Sequence, residues 1–299
     1  MTKENELGEV PAGEKDMVIY EIVEPHIARI TLNRPHRKNA ILTPSMNVEL
    51  NDALERAQDD DSVKVIILAG AGTDFCAGED TSKMPIETYG LKKGERLPQS
   101  LRMRGFRKTL NSTQQGMTWG DKIVIAACQG ATYGQGFSFA MTSDILILAD
   151  DAKLARRQSR IGFAGFETQL PMTLQRLGLN RGMEVLLTGR IVTAAELKEW
   201  GVANSVVAPE RLMDEALRYA RAIAAHSTDN LMLGKRAYQQ YLHGLGVSAF
   251  QNFATVAHPL FTNVVWRDDE INFLKERDKV GGKEAMKNIN KVWEDLGFE

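Results

Sequence analysis

The chain has 299 residues, of which 43% are hydrophobic and 25% charged, a composition typical of soluble globular proteins. Its formal net charge is −2, and it has no basic stripe or aromatic-rich binding motif, which argues against a nucleic-acid partner. No apolar run reaches the roughly 18–20 residues of a membrane span, and the acidic N-terminus has no signal-peptide core. We therefore expect a cytoplasmic protein with no membrane partner.

The two cysteines, Cys76 and Cys128, each lie in or beside an apolar run. No CxxC pair or Cys/His spacing indicates a metal site. The pattern predicts two buried thiols in a reducing compartment, and no bound metal.

The first predicted elements are a hairpin and a helix. Two β-rich runs, "MVIYEIV" and "IARITLN", are separated by "EPH" and predict antiparallel strands. The segment "TPSMNVELNDALERAQDD" follows and predicts a helix, with Thr43 as its N-cap and Pro44 at its first helical position.

Three continuous apolar runs come next and predict strands that are buried on both faces: "VKVIILAG", "KIVIAACQG" and "DILILAD". A polar connection over residues 84–121 separates the first run from the second. It is long for a simple loop, so it is either a mobile lid or partly helical.

The second half of the chain has mostly helical periodicity from about residue 169, with one further strand in "VANSVVA" and only helices after Pro209. Strands that alternate with helices predict an α/β core over residues 17–208. The remaining residues, 209–299, predict a C-terminal helical region, and the polar residues 1–16 predict a disordered tail.

Two short basic clusters interrupt this pattern, "HRK" at 36–38 and "RR" at 156–157. Solvated surface is the first interpretation of such clusters, and contact with an anionic small molecule is the second.

Two glycine-rich turns end buried strands, "FCAGEDTSKM" and "GATYGQGFSFA". The second turn fits a dinucleotide fingerprint only partly, because no glycine or alanine occupies the third position of that motif. If the two turns lie side by side, they can direct two backbone N–H groups at one oxygen. Such a pair of donors is an oxyanion hole.

These turns and their flanking segments resemble the crotonase superfamily, the enoyl-CoA hydratase/isomerase fold. The matching stretches are "ARITLNRPHRKNAI", "VKVIILAGAGTDFCAGEDTSKM", "KIVIAACQGATYGQGFSFAMTSDILILADDAKL" and "RLGLNRGMEVLLTGRIVTAAELKEWGVANSVV". Together they span about residues 17–210 in the order and spacing of the family.

The resemblance implies a spiral of ββα units with a C-terminal helical trimerisation region, assembled as a homotrimer or as a hexamer made of two trimers. It implies an acyl-CoA substrate, with coenzyme A as part of the substrate and no permanently bound cofactor. The oxyanion donors would be the backbone amides of Glu79 and Gln135. Contacts to CoA would fall at Arg37, Lys38, Ala77, Asp80, Ser82, Lys83 and, near the adenine, Phe261.

The resemblance fails where hydratases of the family have their two glutamates, because this chain has Ser138 and Gln158 there. Neither a hydroxyl nor an amide titrates near pH 7, so neither exchanges a proton with substrate. Simple two-glutamate hydration is therefore not expected. Ser138 is either a residue that orients water or substrate, or a hydroxyl satisfied at a helix start.

Glu167, in "GFAGFETQ", is the first candidate to replace the missing glutamates. The loop lines the acyl pocket in the family, and a partly desolvated carboxylate there would have a raised pKa. The alternative is that Glu167 points to solvent. Asp80 follows the first oxyanion residue, and local hydrogen bonding in the turn is its favoured role.

Three functions stay open at this stage. The first is an enzyme that stabilises the enolate oxyanion of an acyl-CoA thioester by chemistry other than two-glutamate hydration. The second is a β-diketone C–C hydrolase that uses no CoA. The third is a non-catalytic scaffold subunit, since fold alone does not establish activity.

Overall fold

A computed structural model of the chain describes residues 14–80, 98–107, 112–162, 168–263 and 265–299. Its strands are β1 Val18–Glu24, β2 Ile27–Leu32, β3 Val65–Gly70, β4 Ile123–Cys128, β5 Ala131–Tyr133, β6 Ile145–Ala149, β7 Lys153–Ala155, β8 Val192–Thr193 and β9 Ser205–Val207. Its helices are α1 Ser45–Asp59, α2 Gln99–Phe106, α3 Ser112–Trp119, α4 Gln135–Thr142, α5 Leu170–Thr188, α6 Ala194–Glu199, α7 Leu212–Ala224, α8 Thr228–Gly244, α9 Val247–Ala257, α10 Phe273–Val280 and α11 Gly282–Glu294. The fold is mixed α/β, as predicted.

The main sheet has the strand order β1-β2-β3-β4-β6-β9. Strands β1 and β2 form the predicted antiparallel hairpin, and the following neighbours pair in parallel. A second sheet, β5-β7-β8, is made of strands of two or three residues, which are too short to show a periodicity in the sequence. Parallel strands end at one edge of the sheet, so the turns after β3 and β4 lie near each other.

Strands β3, β4 and β6 of the main sheet are apolar on both faces because each face is covered. On one face, Val65 and Ile67 pack with Ala216 and other residues of α7. On the opposite face, Ile66 and Leu68 join a core cluster with α1 and α4. Burying an aliphatic side chain of this size contributes about 1.5–3 kcal/mol, so this two-sided core is the main source of stability.

The C-terminal part is helical, as predicted, with α7 to α11 and two 3-10 helices at Pro209–Arg211 and His258–Asn263. The prediction of helices alone after Pro209 is wrong for residues 265–272, which are not helical. Helix α5 contains a break at Gly178, whose φ of 72° is non-helical. In the described residues of the predicted connection 84–121, the chain forms α2 and α3.

Two local predictions are also wrong. Thr43 does not cap α1, because the helix begins at Ser45 and the Thr43 hydroxyl donates to Oδ1 of Asn47 instead. Arg156 is 1% exposed and therefore is not solvated surface. Thr43 bonds to a side chain four residues further along instead of capping the helix, and the fold encloses Arg156.

Most of the predicted N-terminal tail, residues 1–13, lies outside the described residues. At its end, Glu14 forms an ion pair with the buried Arg34. Within the described ranges, none of the helices is both long and apolar enough to cross a bilayer. The two cysteines are fully buried and unbridged, as predicted.

Candidate active site

The two glycine turns lie against each other at the ends of β3 and β4. The N–H of Tyr133 donates to the carbonyl oxygen of Cys76 over 2.8 Å, and the N–H of Cys76 donates to Ala131 over 3.0 Å. Cys76 and Thr132 form a parallel bridge, so the two segments pair like a short piece of sheet. The predicted side-by-side placement of the turns is therefore present.

Glycines are required where the turns touch. Gly78 has a φ of 97°, and a Cβ added there would lie 3.2 Å from the carbonyl oxygen of Tyr133. Gly134 has a φ of 54°, and its added Cβ would lie 3.1 Å from Cα of Gly78. At Gly136 an added Cβ would lie 2.5 Å from the carbonyl oxygen of Cys76. Because glycine has no Cβ, the two backbones can approach more closely at these positions than other residues would permit.

Gln135 is the first residue of α4 and follows the positive-φ Gly134. A backbone N–H at this position has no acceptor within its own helix, and the helix dipole favours a negative charge beside it. The turn that holds Glu79 is also hydrogen-bonded to Ile41, in the segment before α1. Gly78 accepts from the N–H of Ile41 over 2.7 Å, and Asp80 donates its N–H to Ile41 over 2.9 Å.

A chain of polar side chains connects Gln135 with Glu79. The Gln135 amide donates through Nε2 to Oε1 of Glu79 over 3.2 Å. Its own Oε1 accepts from Nδ2 of Asn47 over 3.3 Å, and Oδ1 of Asn47 accepts from the hydroxyl of Thr43 over 2.9 Å. Asn47 and Gln135 are buried, so water does not compete strongly for these bonds.

Asp80 is held by two arginines rather than by the turn alone. Its oxygens accept from Nη2 of Arg34 over 3.2 Å and from Nη2 of Arg37 over 3.0 Å. The Asp80 and Arg34 side chains are 5% and 2% exposed. This ion pair attaches the loop after β2 to the turn after β3.

Asn39 and Asp74 also hydrogen-bond to the segments around the first turn. The amide of Asn39 donates to the carbonyl oxygens of Ala71 and Asp74, over 2.8 and 2.7 Å. Burial alone would raise the pKa of Asp74, but hydrogen bonds from the Ala131 N–H and the Thr73 hydroxyl, with the charge of Lys38, outweigh burial and lower it. The carboxylate therefore binds both turn segments in its ionised form.

A cleft of about 1090 Å³ opens beside the turn that holds Glu79. Its walls come from the loop after β2, from the turn after β3 and from α10 and α11. The basic and acidic side chains that line it are His36, Arg37, Lys38, Arg277, Lys283, Lys287, Glu79, Asp80 and Asp278. Basic groups outnumber acidic ones, so the cleft suits an anionic ligand.

The positions that resemble the hydratase glutamates lie beside the second turn. Ser138 is 1% exposed, and its hydroxyl donates to the carbonyl oxygen of Gly134 over 3.1 Å. A Cβ added at Gly134 would lie 3.0 Å from Nε2 of Gln158, so this amide packs on the turn. Within the part of the chain that the structure describes, Oε1 of Gln158 is buried and has no hydrogen-bond partner. That oxygen can accept a proton in a hydrogen bond but cannot exchange one.

Two other titratable groups of the turns are held neutral at physiological pH. Burial raises the pKa of the Cys76 thiol to about 12. Burial also raises the pKa of Tyr133, whose ring packs under the guanidinium of Arg157 at 5.8 Å. Neither group is a ready proton acceptor. No cluster of metal-ligating side chains occurs among the described residues.

A family model described as enoyl-CoA hydratase/isomerase matches residues 23–278 of the chain. The chain belongs to the enoyl-CoA hydratase/isomerase family. It is thus an enzyme of the crotonase superfamily, and the family acts on acyl-CoA thioesters. The resemblance of the turns and strands to that superfamily is confirmed.

Curated members of the enoyl-CoA hydratase/isomerase family align with most of the chain. A mevalonyl-coenzyme A hydratase of Beauveria bassiana is 33% identical over 216 residues, which are 70% of this chain and 74% of that protein. A 1,2-epoxyphenylacetyl-CoA isomerase of Escherichia coli is 31% identical over 218 residues, 72% of this chain and 79% of that protein.

Solved structures of the family have the same fold. An enoyl-CoA hydratase/isomerase from Xanthobacter autotrophicus superposes with a TM-score of 0.80 at 27% identity, over 92% of this chain and 98% of that one. The expected crotonase-like architecture with its C-terminal helical region is confirmed.

The structure brings together several of the residues that the sequence predicted. Glu79, Asp80, Arg37, Lys38 and Ala77 line one cleft. Gln135, Ser138 and Gln158 lie at the second turn, and Gln135 contacts Glu79. Ser82, Lys83 and Glu167 lie outside the described residues. Phe261 lies in the 3-10 helix His258–Asn263, and its side chain is outside what the structure describes.

Sequence reasoning missed residues that contact the site from distant parts of the chain. Asn47 is one turn into α1, where an amphipathic pattern gave no reason to separate it from the core face. Lys283 and Lys287 lie in the C-terminal helix α11, and no local motif marks them as part of the cleft. Asn47 itself offered a usable signal, because it is a polar residue among the apolar positions of one helix face. A buried polar side chain usually has a hydrogen-bond partner, so Asn47 could have been predicted to contact another polar group.

Proposed function

We propose that the protein binds an acyl-CoA thioester in the cleft and stabilises an enolate-like oxyanion with the backbone amides of Glu79 and Gln135. The observation on which this rests is the contact between the two glycine turns at the edge of a basic cleft. Two preorganised N–H donors act where negative charge develops on the thioester oxygen, and losing one donor typically costs about 3–4 kcal/mol.

The charge of the cleft supports CoA as the ligand. The phosphate groups of CoA are anionic, and Lys283 and Lys287 extend from α11 toward the same space as Arg37 and Lys38. Asp80 adds less negative charge than its position suggests, because Arg34 is paired with it. Lysine and arginine side chains on two walls thus offer partners to a polyanion.

The reaction that we propose is proton transfer at the carbon next to the thioester, not hydration by a glutamate pair. Ser138 donates its hydroxyl to Gly134, and Gln158 presents an amide. Neither titrates at physiological pH, so neither can move the proton. Glu167, which the sequence suggests as an acid–base residue, lies outside the described residues.

The test is calorimetry with free CoA and with a non-hydrolysable acyl-CoA. We expect the wild-type protein to bind both, and Lys287→Glu to weaken binding about tenfold, which equals about 1.4 kcal/mol. Lys291→Glu is the matched control. Both lysines pair with an acidic residue of the same segment, Lys287 with Glu284 and Lys291 with Asp295, but only Lys287 lines the cleft. No binding of either ligand to the wild-type protein would contradict the proposal.

The CoA-independent diketone hydrolase depended on Glu167, and no contact among the described residues favours it over an acyl-CoA substrate. Consumption of a cyclic β-diketone in the absence of CoA would establish it. The non-catalytic scaffold is not proposed here, because the chain belongs to a family of enzymes.

We propose a homotrimer, or a hexamer built from two trimers, as the assembly. Large apolar side chains are exposed on the C-terminal helices, with Leu233 on α8 at 72% and Phe253 on α9 at 53% exposed. Such groups on adjacent helices are typical of surfaces that another chain covers. Sedimentation equilibrium distinguishes the two assemblies, and a monomer at micromolar concentration would contradict both.

A further inference from the structure

The proposed chemistry needs a group that moves a proton, and the structure offers one that the family pattern does not point to. We propose that the side-chain carboxylate of Glu79 is the catalytic acid–base group of the active site. The inference rests on the proposed function, which already uses the backbone N–H of this residue as an oxyanion donor. It adds a second and separate role for the same residue.

The position of the carboxylate is the first argument. Glu79 is half-buried and lines the cleft. Its Oε1 accepts from Nε2 of Gln135 over 3.2 Å, so the carboxylate contacts the side chain of the residue that would supply the second oxyanion amide. The carbon that loses a proton is directly bonded to the thioester carbonyl carbon. A base held beside the oxyanion donors is therefore within reach of that proton.

The second argument concerns the hydrogen-bonded side chains that support Gln135. Their donors and acceptors can be assigned in only one way. An ionised carboxylate accepts hydrogen bonds and donates none, so Gln135 must present Nε2 to it. The Oε1 of Gln135 then faces Asn47, which presents Nδ2, and Oδ1 of Asn47 accepts from Thr43. Three buried or half-buried side chains thus fix one oxygen of the carboxylate.

This arrangement holds in both protonation states. If Glu79 takes up a proton on Oε2, its Oε1 still accepts the hydrogen bond from Gln135. The side chain can therefore cycle between base and acid without repacking its support. Preorganisation of this kind keeps the reacting group in place while the charge moves.

The charge of the site also stays constant if a carboxylate accepts the proton. The C–H bond next to the thioester breaks, its electron pair forms the enolate with charge on the thioester oxygen, and the proton goes to Oε2 of Glu79. One negative charge is present before and after the step, so carboxylate and enolate are never charged together. Return of the proton to the same carbon or to the conjugated carbon two bonds further regenerates the carboxylate.

The other described carboxylates around the cleft are engaged in ion pairs. Asp80 binds Arg34 and Arg37, and Asp278 lies 3.6 Å from Arg277. The hydroxyl of Ser138 is occupied by Gly134, and the thiol of Cys76 has a pKa of about 12. Glu79 has the side-chain amide of Gln135 as a hydrogen-bond donor to its Oε1 in the turn.

The experiment measures deuterium incorporation next to the thioester, by mass spectrometry in D2O, with phenylacetyl-CoA and 3-butenoyl-CoA as probes. Glu79→Gln keeps the backbone N–H and the length of the side chain but cannot titrate. We expect exchange to fall about 100-fold or more, within the usual range for loss of a general base, while CoA binding by calorimetry is retained. Glu49→Gln is the matched control, a half-buried glutamate on α1 that accepts from the N–H of Val18 outside the cleft.

Gln135→Ala tests the positioning residue. It keeps the backbone donor but removes the hydrogen bond that favours the ionised carboxylate, so the acidic limb of the exchange profile should move to higher pH. The other charged and titratable groups of the cleft are unchanged in this variant: His36, Arg37, Lys38, Asp80, Arg277, Asp278, Lys283 and Lys287. A merely structural role for Gln135 would lower stability without moving that limb.

The outcomes separate this inference from the proposed function. Wild-type exchange that Glu79→Gln retains would overturn the inference and leave the CoA proposal standing. CoA binding by the wild-type protein with no exchange of either probe would also overturn it. Absence of CoA binding by the wild-type protein would overturn the proposed function, and the inference with it.

Discussion

Tyr133 donates its backbone N–H to the carbonyl oxygen of Cys76 across 2.8 Å, and this bond joins the two glycine turns of the active site. The turn after β3 and the segment after β4 therefore form one unit rather than two loops. Any change that separates them should affect both proposed oxyanion donors together. The glycines at the contact are the most direct place to test this.

Gly136→Ala should separate the turns, because the new Cβ would lie 2.5 Å from the carbonyl oxygen of Cys76. We expect a loss of about 1–3 kcal/mol in the free energy of unfolding and a larger fall in thioester turnover. Gly234→Ala is the control, since an added Cβ in that exposed part of α8 meets nothing within 4 Å. It should stabilise the protein by up to about 1 kcal/mol. Equal stability and turnover in both variants would contradict the close contact.

Asp80→Asn should destabilise the loop after β2, because Arg34 would lose one carboxylate partner at a site where both side chains are nearly inaccessible. Breaking a buried ion pair typically costs about 3–5 kcal/mol, and the remaining pair with Glu14 places the expected loss near 3 kcal/mol. Urea unfolding measures it. Asp214→Asn breaks an exposed pair with Arg211 and should change stability by less than about 0.5 kcal/mol. A small effect at Asp80 would mean that Arg34 is held by its other contacts alone.

The combined variant Ser138→Glu with Gln158→Glu should hydrate crotonyl-CoA faster than the wild-type protein does. Two carboxylates beside the second turn would then be able to exchange protons with water, which a hydroxyl and an amide cannot do. Ser138→Ala serves as the control and should leave proton exchange nearly unchanged, because the hydroxyl donates to the nearby carbonyl oxygen of Gly134. Rapid hydration by the wild-type protein would show that it obtains its acid and base elsewhere.

Asp74 should make stability depend on pH in the acidic range. Its pKa in the folded protein is lower than its ordinary value of 3.8, so its contribution is fully present above that value and is lost as the pH falls through the lower folded pKa. Asp74→Asn should therefore be less stable than wild type at neutral pH, and the difference should shrink as the pH falls below the ordinary pKa of 3.8. Unfolding curves at several pH values measure this. A difference that does not change with pH would mean that the charge of Asp74 is not what binds Ala131.

The comparison of sequence and structure is clearest around α1. The apolar periodicity predicted the helix, and its buried positions include Leu50 and Leu54 as expected. The N-cap prediction failed because the Thr43 hydroxyl donates to Asn47, whose amide in turn donates to Gln135 from another part of the chain. A local rule cannot anticipate a partner that is supplied by a distant segment.

By itself, the sequence determined the parallel, doubly buried strands and the two glycine turns that end them. Continuous apolar runs have no stable place except between two layers, and a glycine-bracketed turn after a strand allows close approach of backbones. The tertiary structure alone decided which side chains meet at those turns. The contact of Gln135 with Glu79 and the approach of Lys283 and Lys287 to Arg37 join segments that are distant in sequence. Side-chain chemistry at a site depends on such neighbours in space, and periodicity describes only neighbours along the chain.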